Sequence, residues 1–475
     1  MIRFGTGGWR AVIGDEFTKQ NIQKLAKALA MKMEDEGVDA EGLCIGYDRR
    51  FLSKEALMWA CEVFAAEGIR VWFVNRSSPT PLVMYYVMAH DLPYGMMVTA
   101  SHNPAVYNGF KVFTRGGKDA DEDQTREIER YLELLEEKLE NGGKIETIPY
   151  EQAKKENLVV EFNPINEYID NILEQIDMDR IKEKNLRVAL DPMYGVSQTS
   201  LRTILCIARC EVEVIHDRHD TLFGGKLPAP NERTLRTLQN YVLDRSCDIG
   251  IATDGDADRI GVIDDQGRFL HPNEILVLLY YYLLKYKKWS GPVVRNVATT
   301  HMLDRVAEKF SQTCFEVPVG FKHISAKMAE TGAIIGGESS GGLTVKGHIN
   351  GKDGVYAAAL LVEMISVTSM KLSQLMEKVR EEFGEFHMEE RDYRFTPEKK
   401  EEIRKILLED RILPSLPIPV QKVSYLDGCK LYFEGGGWII CRFSGTEPLL
   451  RIFCEMDTPE KAQELTERFA GFLGL

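Results

Sequence analysis

Along the 475-residue chain, stretches with the apolar period of a helix take turns with short continuous apolar runs. Residues 19–36 predict an amphipathic helix, and Leu43-Cys44-Ile45-Gly46-Tyr47-Asp48 a strand. A helix over 53–67, a strand at Val71-Trp72-Phe73-Val74 and a helix near 82–90, opened by Pro79-Thr80-Pro81, follow. Gly95-Met96-Met97-Val98 reads as another strand, and the acidic stretch 121–140 as a helix with a solvated face that stops at Asn141-Gly142-Gly143-Lys144. Such alternation predicts an α/β unit. A second unit runs over 160–262, with strands at 186–191, 212–215 and 248–252 and helices at 195–205 and 232–244. A third has helices at 273–287, 301–310 and 354–367 and a strand at 292–294. The tail changes character: short strands at 420–424, 429–433, 437–441 and 450–455 and a closing helix at 459–472 predict a smaller α+β domain. The expected domains are 1–150, 151–262, 263–380 and 381–475, with no clear sequence repeat among them.

Composition narrows the class. The chain is 44% hydrophobic and 28% charged, as a soluble globular protein is, with a formal net charge of −14. That charge argues against nucleic acid or an anionic membrane as partner, but a local Arg/Lys cluster is enough for a small anionic substrate. No apolar run reaches a membrane span, and Met1-Ile2-Arg3-Phe4-Gly5 lacks the apolar region of a signal peptide. Nine scattered cysteines form no CxxC pair, which predicts buried thiols in a reducing cytoplasm. The oligomeric state is left open.

The chemistry gathers in a few short motifs. Thr99-Ala100-Ser101-His102-Asn103-Pro104 leaves a strand on a turn that proline keeps out of helix, where a serine nucleophile can sit exposed. Tyr107-Asn108-Gly109-Phe110-Lys111 then supplies a flexible glycine and a cation. Asp254-Gly255-Asp256-Ala257-Asp258-Arg259 follows a strand; alternate residues of an extended loop point one way, so three carboxylates can converge on a hard cation such as Mg²⁺. An EF-hand is excluded, because Arg259 and Asp265 stand where Gly and Glu are needed. Arg259 can grip a phosphate. The N-terminal run Phe4-Gly5-Thr6-Gly7-Gly8-Trp9-Arg10 offers backbone amides and a cation to an anion. Gly336-Gly337-Glu338-Ser339-Ser340-Gly341-Gly342 suits recognition of sugar hydroxyls, and His348 and Lys352 are expected to face a ligand from the next loop. Val319-Gly320-Phe321-Lys322-His323 reads as a glycine-hinged turn with cations. Arg442-Phe443-Ser444-Gly445-Thr446-Glu447-Pro448, with Arg451 beyond, has the amides, hydroxyls and arginines of a phosphate cradle. No dinucleotide or Walker motif occurs.

Taken in this order, the motifs resemble those of the α-D-phosphohexomutase family, which includes phosphoglucomutases, phosphomannomutases and phosphoglucosamine mutases, over nearly the whole chain. The resemblance implies a four-domain enzyme, three similar α/β domains and a smaller C-terminal α+β domain around a central cleft. It implies phosphorylation at Ser101, and Mg²⁺ bound by Asp254, Asp256, Asp258 and the phosphoserine. Arg10, Lys111 and His102 would surround the transferring group, with Lys352 contributing. Glu338 and Ser340 would read the sugar, and Arg442, Ser444, Gly445, Thr446 and Arg451 would hold the distal phosphate. The expected reaction interconverts hexose 1- and 6-phosphates through a hexose 1,6-bisphosphate.

The sugar is read from finer features. Gly342 and Phe321 stand where some dual-specificity relatives carry histidine, while Gly320-Phe321-Lys322 and His348-Ile349-Asn350-Gly351-Lys352-Asp353-Gly354 look like the phosphoglucomutase branches. Ser339 and Phe443 depart from the Glu and Pro common among relatives. Glucose phosphate is therefore expected first, mannose phosphate as a tolerated or preferred alternative, and glucosamine phosphate third. Two other classes compete. A metal-dependent phosphatase with Asp254 as nucleophile would leave Ser101 and the C-terminal cradle without roles. A sugar-phosphate sensor would normally have lost Ser101 or an aspartate.

Overall fold

Leu43–Tyr47, Val71–Val74 and Tyr94–Val98 are buried almost throughout, and strands apolar on both faces need cover on both sides. In the computed structural model, which describes residues 2–5, 8–444 and 449–475, these strands form the parallel centre of a sheet. The strand order is 9–12, 107–114, 94–98, 43–47, 71–74, 159–162. Helices Lys19–Asp35, Ser53–Ala66 and Glu122–Glu140 pack together over it, while Thr80–Ala89 lies against the strands 43–47 and 94–98. The last strand, Val159–Phe162, pairs with Val71–Val74, so this domain continues past the expected boundary at 150.

Tyr107–Thr114 corrects the reading of Gly109 as a flexible residue: the run is an antiparallel strand between Tyr94–Val98 and Trp9–Val12. Gly109 is there for close approach, not for flexibility. A Cβ on it would stand 2.0 Å from the Trp9 carbonyl oxygen. Arg10 and Lys111 are thereby held on neighbouring strands.

The second sheet has the order 269–270, 260–263, 249–253, 187–191, 211–214. Its three-stranded core is parallel, and Ile249–Thr253 turns back through residues 254–259 into antiparallel Ile260–Ile263. The expected boundary at 262 therefore cuts this sheet. Gly354–Thr368, expected in the third domain, is buried nearly end to end and packs against Met178–Lys182, Ser197–Ile207 and the strands flanking the acidic turn. Among the described residues, no single helix is long and apolar enough to cross a membrane.

The chain divides into two compact units, Met1–Ile275 with Ser340–Ser373, and Leu276–Ser339 with Gln374–Leu475. In the second, Cys314–Val317, Val293–Asn296 and Ile335–Gly337 are parallel, and Phe321–Thr331 packs on them. The turn expected at 319–323 is thus the start of this helix. An antiparallel sheet of order 387–394, 449–456, 438–443, 429–433, 420–424 carries the helix Pro459–Phe472. His387–Arg394 gave no strand signal because charged residues occupy both of its faces. Val297 and Ala298 pack on Trp438, Ile440 and Phe453. Buried Lys430 donates to Val297 O and Glu316 Oε2, both at 2.7 Å, and Arg295 reaches that oxygen at 2.6 Å. An apolar contact and a buried ion pair thus join the two sheets of this unit.

Gly109→Ala should push Trp9–Val12 off its neighbour and cost about 2 kcal/mol, the range of core overpacking, measured as a lower urea midpoint with earlier proteolysis near the N-terminus.

Candidate active site

The acidic turn closes a hairpin whose strands are wholly buried. Asp254, Asp256 and Asp258 are buried with it, and one carboxylate oxygen from each lies within 4.8 Å of the others. Three like charges out of water demand compensation. Lys111 Nζ donates to Asp256 Oδ2 at 2.7 Å and to Asp258 Oδ2 at 2.6 Å. Lys352 Nζ stands 3.2 Å from Asp258 Oδ2. Thr80 Oγ1 donates to Asp256 Oδ2 at 2.6 Å. Burial and the two neighbouring carboxylates push the Asp254 carboxyl well above its usual range. Burial acts the same way on Asp256 and Asp258, but Lys111 overcomes it and holds both low. Burial likewise works against the Lys111 charge, and Asp256 and Asp258 prevail, raising its pKa. Among the described residues, buried Asp256 Oδ1 and Asp258 Oδ1 accept no hydrogen bond, and Arg259 Nε stands 3.9 Å from Asp258 Oδ1. Three buried carboxylates with a convergent oxygen each fit a small, hard, oxygen-seeking cation.

Ser101 meets this turn. It follows Tyr94–Val98, and Asp48 follows the parallel strand Leu43–Tyr47, so both stand at the carboxyl edge where α/β sheets place their sites. Ser101 Oγ donates to Asp254 Oδ2 at 2.8 Å. Its backbone is left-handed, with φ 50°. His102 Nδ1 lies 3.3 Å from the same hydroxyl oxygen. The charge of Arg259, burial and the charge of Arg10 drive the His102 pKa well below its usual value, so the ring is neutral. Arg10 donates to Asn103 Oδ1. Gly255 lets the loops touch: a Cβ there would lie 2.7 Å from Ser101 O. A serine oxygen among carboxylates and cations can exchange a phosphoryl group.

Arg259 and Gly342 form a β-bridge, and Ile260 N donates to Gly341 O at 3.1 Å, so the second glycine-rich turn is fastened to the acidic one. A Cβ on Gly342 would lie 2.3 Å from Lys352 Cδ, so glycine leaves the path by which Lys352 reaches Asp258. Ser340 is exposed on this turn. His348 corrects the expectation of a ligand-facing residue. Its ring is fully buried, with Nε2 2.6 Å from Asp353 Oδ2 and Nδ1 3.1 Å from Asn171 Oδ1. The acid on its own loop turns it inward, where it supports the helix that Asp353 caps.

The remaining candidates lie in the second unit. Glu338 Oε1 accepts from Gly320 N and Asn296 Nδ2, each at 3.3 Å. Lys322 is in the first turn of the helix that starts after Gly320. Asp427 Oδ2 accepts from Val319 N at 2.9 Å and forms an ion pair with Arg442 Nη2 at 3.2 Å, which brings Arg442 to the Gly320 turn. Arg442 and Arg451 are directly paired across antiparallel strands. Facing like charges are unfavourable unless something offsets them; Asp427 does so for Arg442, and Asp392, 3.7 Å away, for Arg451. Ser444 N donates to Leu449 O at 2.8 Å. Gly445 and Thr446 lie outside the described residues.

Four family models match consecutive segments of the chain. Residues 1–138, 166–267 and 271–383 match alpha/beta/alpha domains I, II and III of phosphoglucomutase/phosphomannomutase, and 421–472 match its C-terminal domain. The chain belongs to this α-D-phosphohexomutase family. It has the family's four-domain fold, three α/β domains and a smaller C-terminal one, and is an isomerase that transfers a phosphoryl group within its substrate. A phosphoglucomutase/phosphomannomutase of Thermococcus kodakarensis is 28% identical, covering 98% of this chain and 96% of the relative. A probable phosphoglucosamine mutase of Pyrococcus furiosus is 31% identical, covering 99% and 97%. A crystal structure from Thermus thermophilus, provisionally named a phosphomannomutase, superposes with a TM-score of 0.84 at 26% identity, covering 100% and 99%.

Sequence reasoning missed three residues of this phosphohexomutase's site. Thr80 binds Asp256, and Asp48 accepts from Thr99 Oγ1 at 2.7 Å. Buried Arg50 donates to the backbone of the Ser101 loop. For Asp48 and Arg50, charged residues directly after an apolar strand were the available signal.

Lys111→Met should remove the cation shared by Asp256 and Asp258 and destabilise the metal-free protein by about 3 kcal/mol, the cost of breaking a buried ion pair. Urea unfolding in EDTA checks this, and an unchanged midpoint would contradict charged Asp256 and Asp258.

Proposed function

We propose that this phosphohexomutase interconverts hexose 1-phosphates and hexose 6-phosphates through phosphorylated Ser101, and that it takes more than one sugar. The carrying observation is the 2.8 Å hydrogen bond from Ser101 Oγ to Asp254 inside a buried carboxylate triad.

In this reading phospho-Ser101 gives its phosphoryl group to the free hydroxyl of a hexose 1-phosphate, leaving a hexose 1,6-bisphosphate. The intermediate reorients, and its other phosphate returns to Ser101. Asp254, Asp256 and Asp258 would hold Mg²⁺, which when bound neutralises charge on the transferring group. Lys111 and Lys352 compensate the carboxylates and, with Arg10 and Arg259, supply positive charge around the serine oxygen. His102 Nδ1, 3.3 Å from Ser101 Oγ, is placed to exchange the hydroxyl proton. From the motifs shared with the family, Glu338, Ser340 and Lys322 would contact the sugar. Arg442, Ser444, Gly445, Thr446 and Arg451 would hold the phosphate that is not reacting. A cradle that reads only a phosphate serves both orientations of the intermediate.

The relatives' names favour a range wider than glucose phosphate alone, the sugar expected first from the sequence. Glu338 agrees with this. A carboxylate is an acceptor for the hydroxyls of glucose or mannose and for the ammonium of glucosamine alike.

Wild type with Mg²⁺ and a hexose 1,6-bisphosphate should isomerise glucose and mannose 1-phosphates with kcat/KM values within about tenfold, a difference of about 1.4 kcal/mol. Glucosamine 1-phosphate should also turn over, and Ser101→Ala should fall to background with every sugar. Full turnover by Ser101→Ala would favour the aspartyl phosphatase chemistry instead. Chelation should abolish turnover. Mg²⁺ at about a hundred times its Kd should stabilise the protein by about 2.7 kcal/mol, and Asp256→Asn should lose that increment in thermal unfolding.

A further inference from the structure

Arg50 touches none of the cations or carboxylates of the acidic turn directly, yet its side chain is wholly buried beneath the Ser101 loop. Nη2 donates to Ser101 O and Asn103 O, both at 2.7 Å. Nη1 donates to Pro104 O at 2.9 Å and Tyr107 O at 3.0 Å. Nε lies 3.3 Å from Asp48 Oδ2, and the guanidinium stands 4.9 Å from the centre of the Phe223 ring. Asp48 is itself fixed, accepting from Arg50 N at 2.9 Å and from Ser53 Oγ and Thr99 Oγ1 at 2.8 and 2.7 Å. Thr99 Oγ1 in turn accepts from Ser101 N at 2.8 Å.

Both peptide groups of Ser101 are therefore held, the N–H by Thr99 and the carbonyl by Arg50. A serine in the left-handed region needs this, because an L-residue adopts that backbone only when its surroundings impose it. A planar fork of five N–H donors can bind four carbonyls at once; a lysine, with three donors at one point, cannot.

We propose that Arg50 is a positioning residue for phosphoryl transfer, a clamp that holds the loop so that Ser101 Oγ faces Asp254. The proposal rests on the reading of Ser101 as the residue that carries the phosphoryl group. Arg50 acts through the loop and meets no substrate, so its loss slows the chemical step and leaves sugar-phosphate affinity alone.

The test compares wild type with Arg50→Lys, Arg50→Ala and Thr99→Val. It measures the single-turnover rate at which glucose 1,6-bisphosphate phosphorylates Ser101, by quench and intact mass, together with kcat, KM and thermal unfolding. Both Arg50 variants should lose about a hundredfold or more in phosphorylation rate and kcat, as a misplaced reacting group does, with KM unchanged. Methylguanidinium should restore Arg50→Ala in a saturable way, which lost folding would not permit. Thr99→Val should show the same kcat-only defect in smaller measure, and decides the matter if the Arg50 variants do not fold. Wild-type phosphorylation rates in folded variants, or activity falling only with the folded fraction, would overturn the clamp. A wild type that never gains phosphate on Ser101 would overturn the reading of Ser101, and the clamp with it.

Discussion

Three carboxylates on one buried turn are the constraint around which the first unit is built. Asp254, Asp256 and Asp258 lie at the end of a wholly buried strand, and an uncompensated charge there would cost several kcal/mol. Compensation comes from far away in sequence: Lys111 from an edge-side strand of the first sheet, Thr80 from the helix beside it, Lys352 from the segment after residue 340. This explains why residues 340–373 fold with the first two sheets rather than with the neighbours they have in sequence. Lys111 and Lys352 approach the Oδ2 atoms, and among the described residues the Oδ1 atoms of Asp256 and Asp258 accept no hydrogen bond. The cations that stabilise the turn thus leave carboxylate oxygens open to a further hydrogen bond or ligand.

The second unit solves a simpler problem with the opposite sign. Arg442 and Arg451 face each other across two strands, and Asp427 and Asp392 stand beside them as counter-charges. Asp427 also fastens the turn before Gly320, whose amide donates to Glu338. An arginine pair and a buried carboxylate acceptor thus share one neighbourhood, as recognition of a sugar bearing a phosphate requires.

Much of this was legible in the sequence, and the exceptions have physical reasons. The central strands were readable because burial on both faces leaves continuous apolar runs, and Val71–Val74 was placed without error. Tyr107–Thr114 was hidden by Gly109, which reads as a loop residue until the Trp9 carbonyl is seen against it. His387–Arg394 takes its strand identity from pairing with Leu449–Met456 and not from its own pattern. The spacing of the aspartates announced their convergence, and strand, turn and proline singled out Ser101, whose hydroxyl the structure places 2.8 Å from Asp254 Oδ2. His348 was misread because its partner, Asp353, is a local acid that could equally have faced solvent. Arg50 was missed because most of its partners are backbone carbonyls, which every sequence has, and only its place just after an apolar strand marked it.

The central claim is that Ser101, not an aspartate of the turn, carries the phosphoryl group. The direct measurement is peptide mapping of the protein after reaction with isotopically labelled glucose 1,6-bisphosphate in the presence of Mg²⁺. The account predicts one acid-stable label per chain, on the peptide containing Ser101 and absent from Ser101→Ala. A label released by hydroxylamine and mapping to Asp254, or isomerisation without any label, would contradict it.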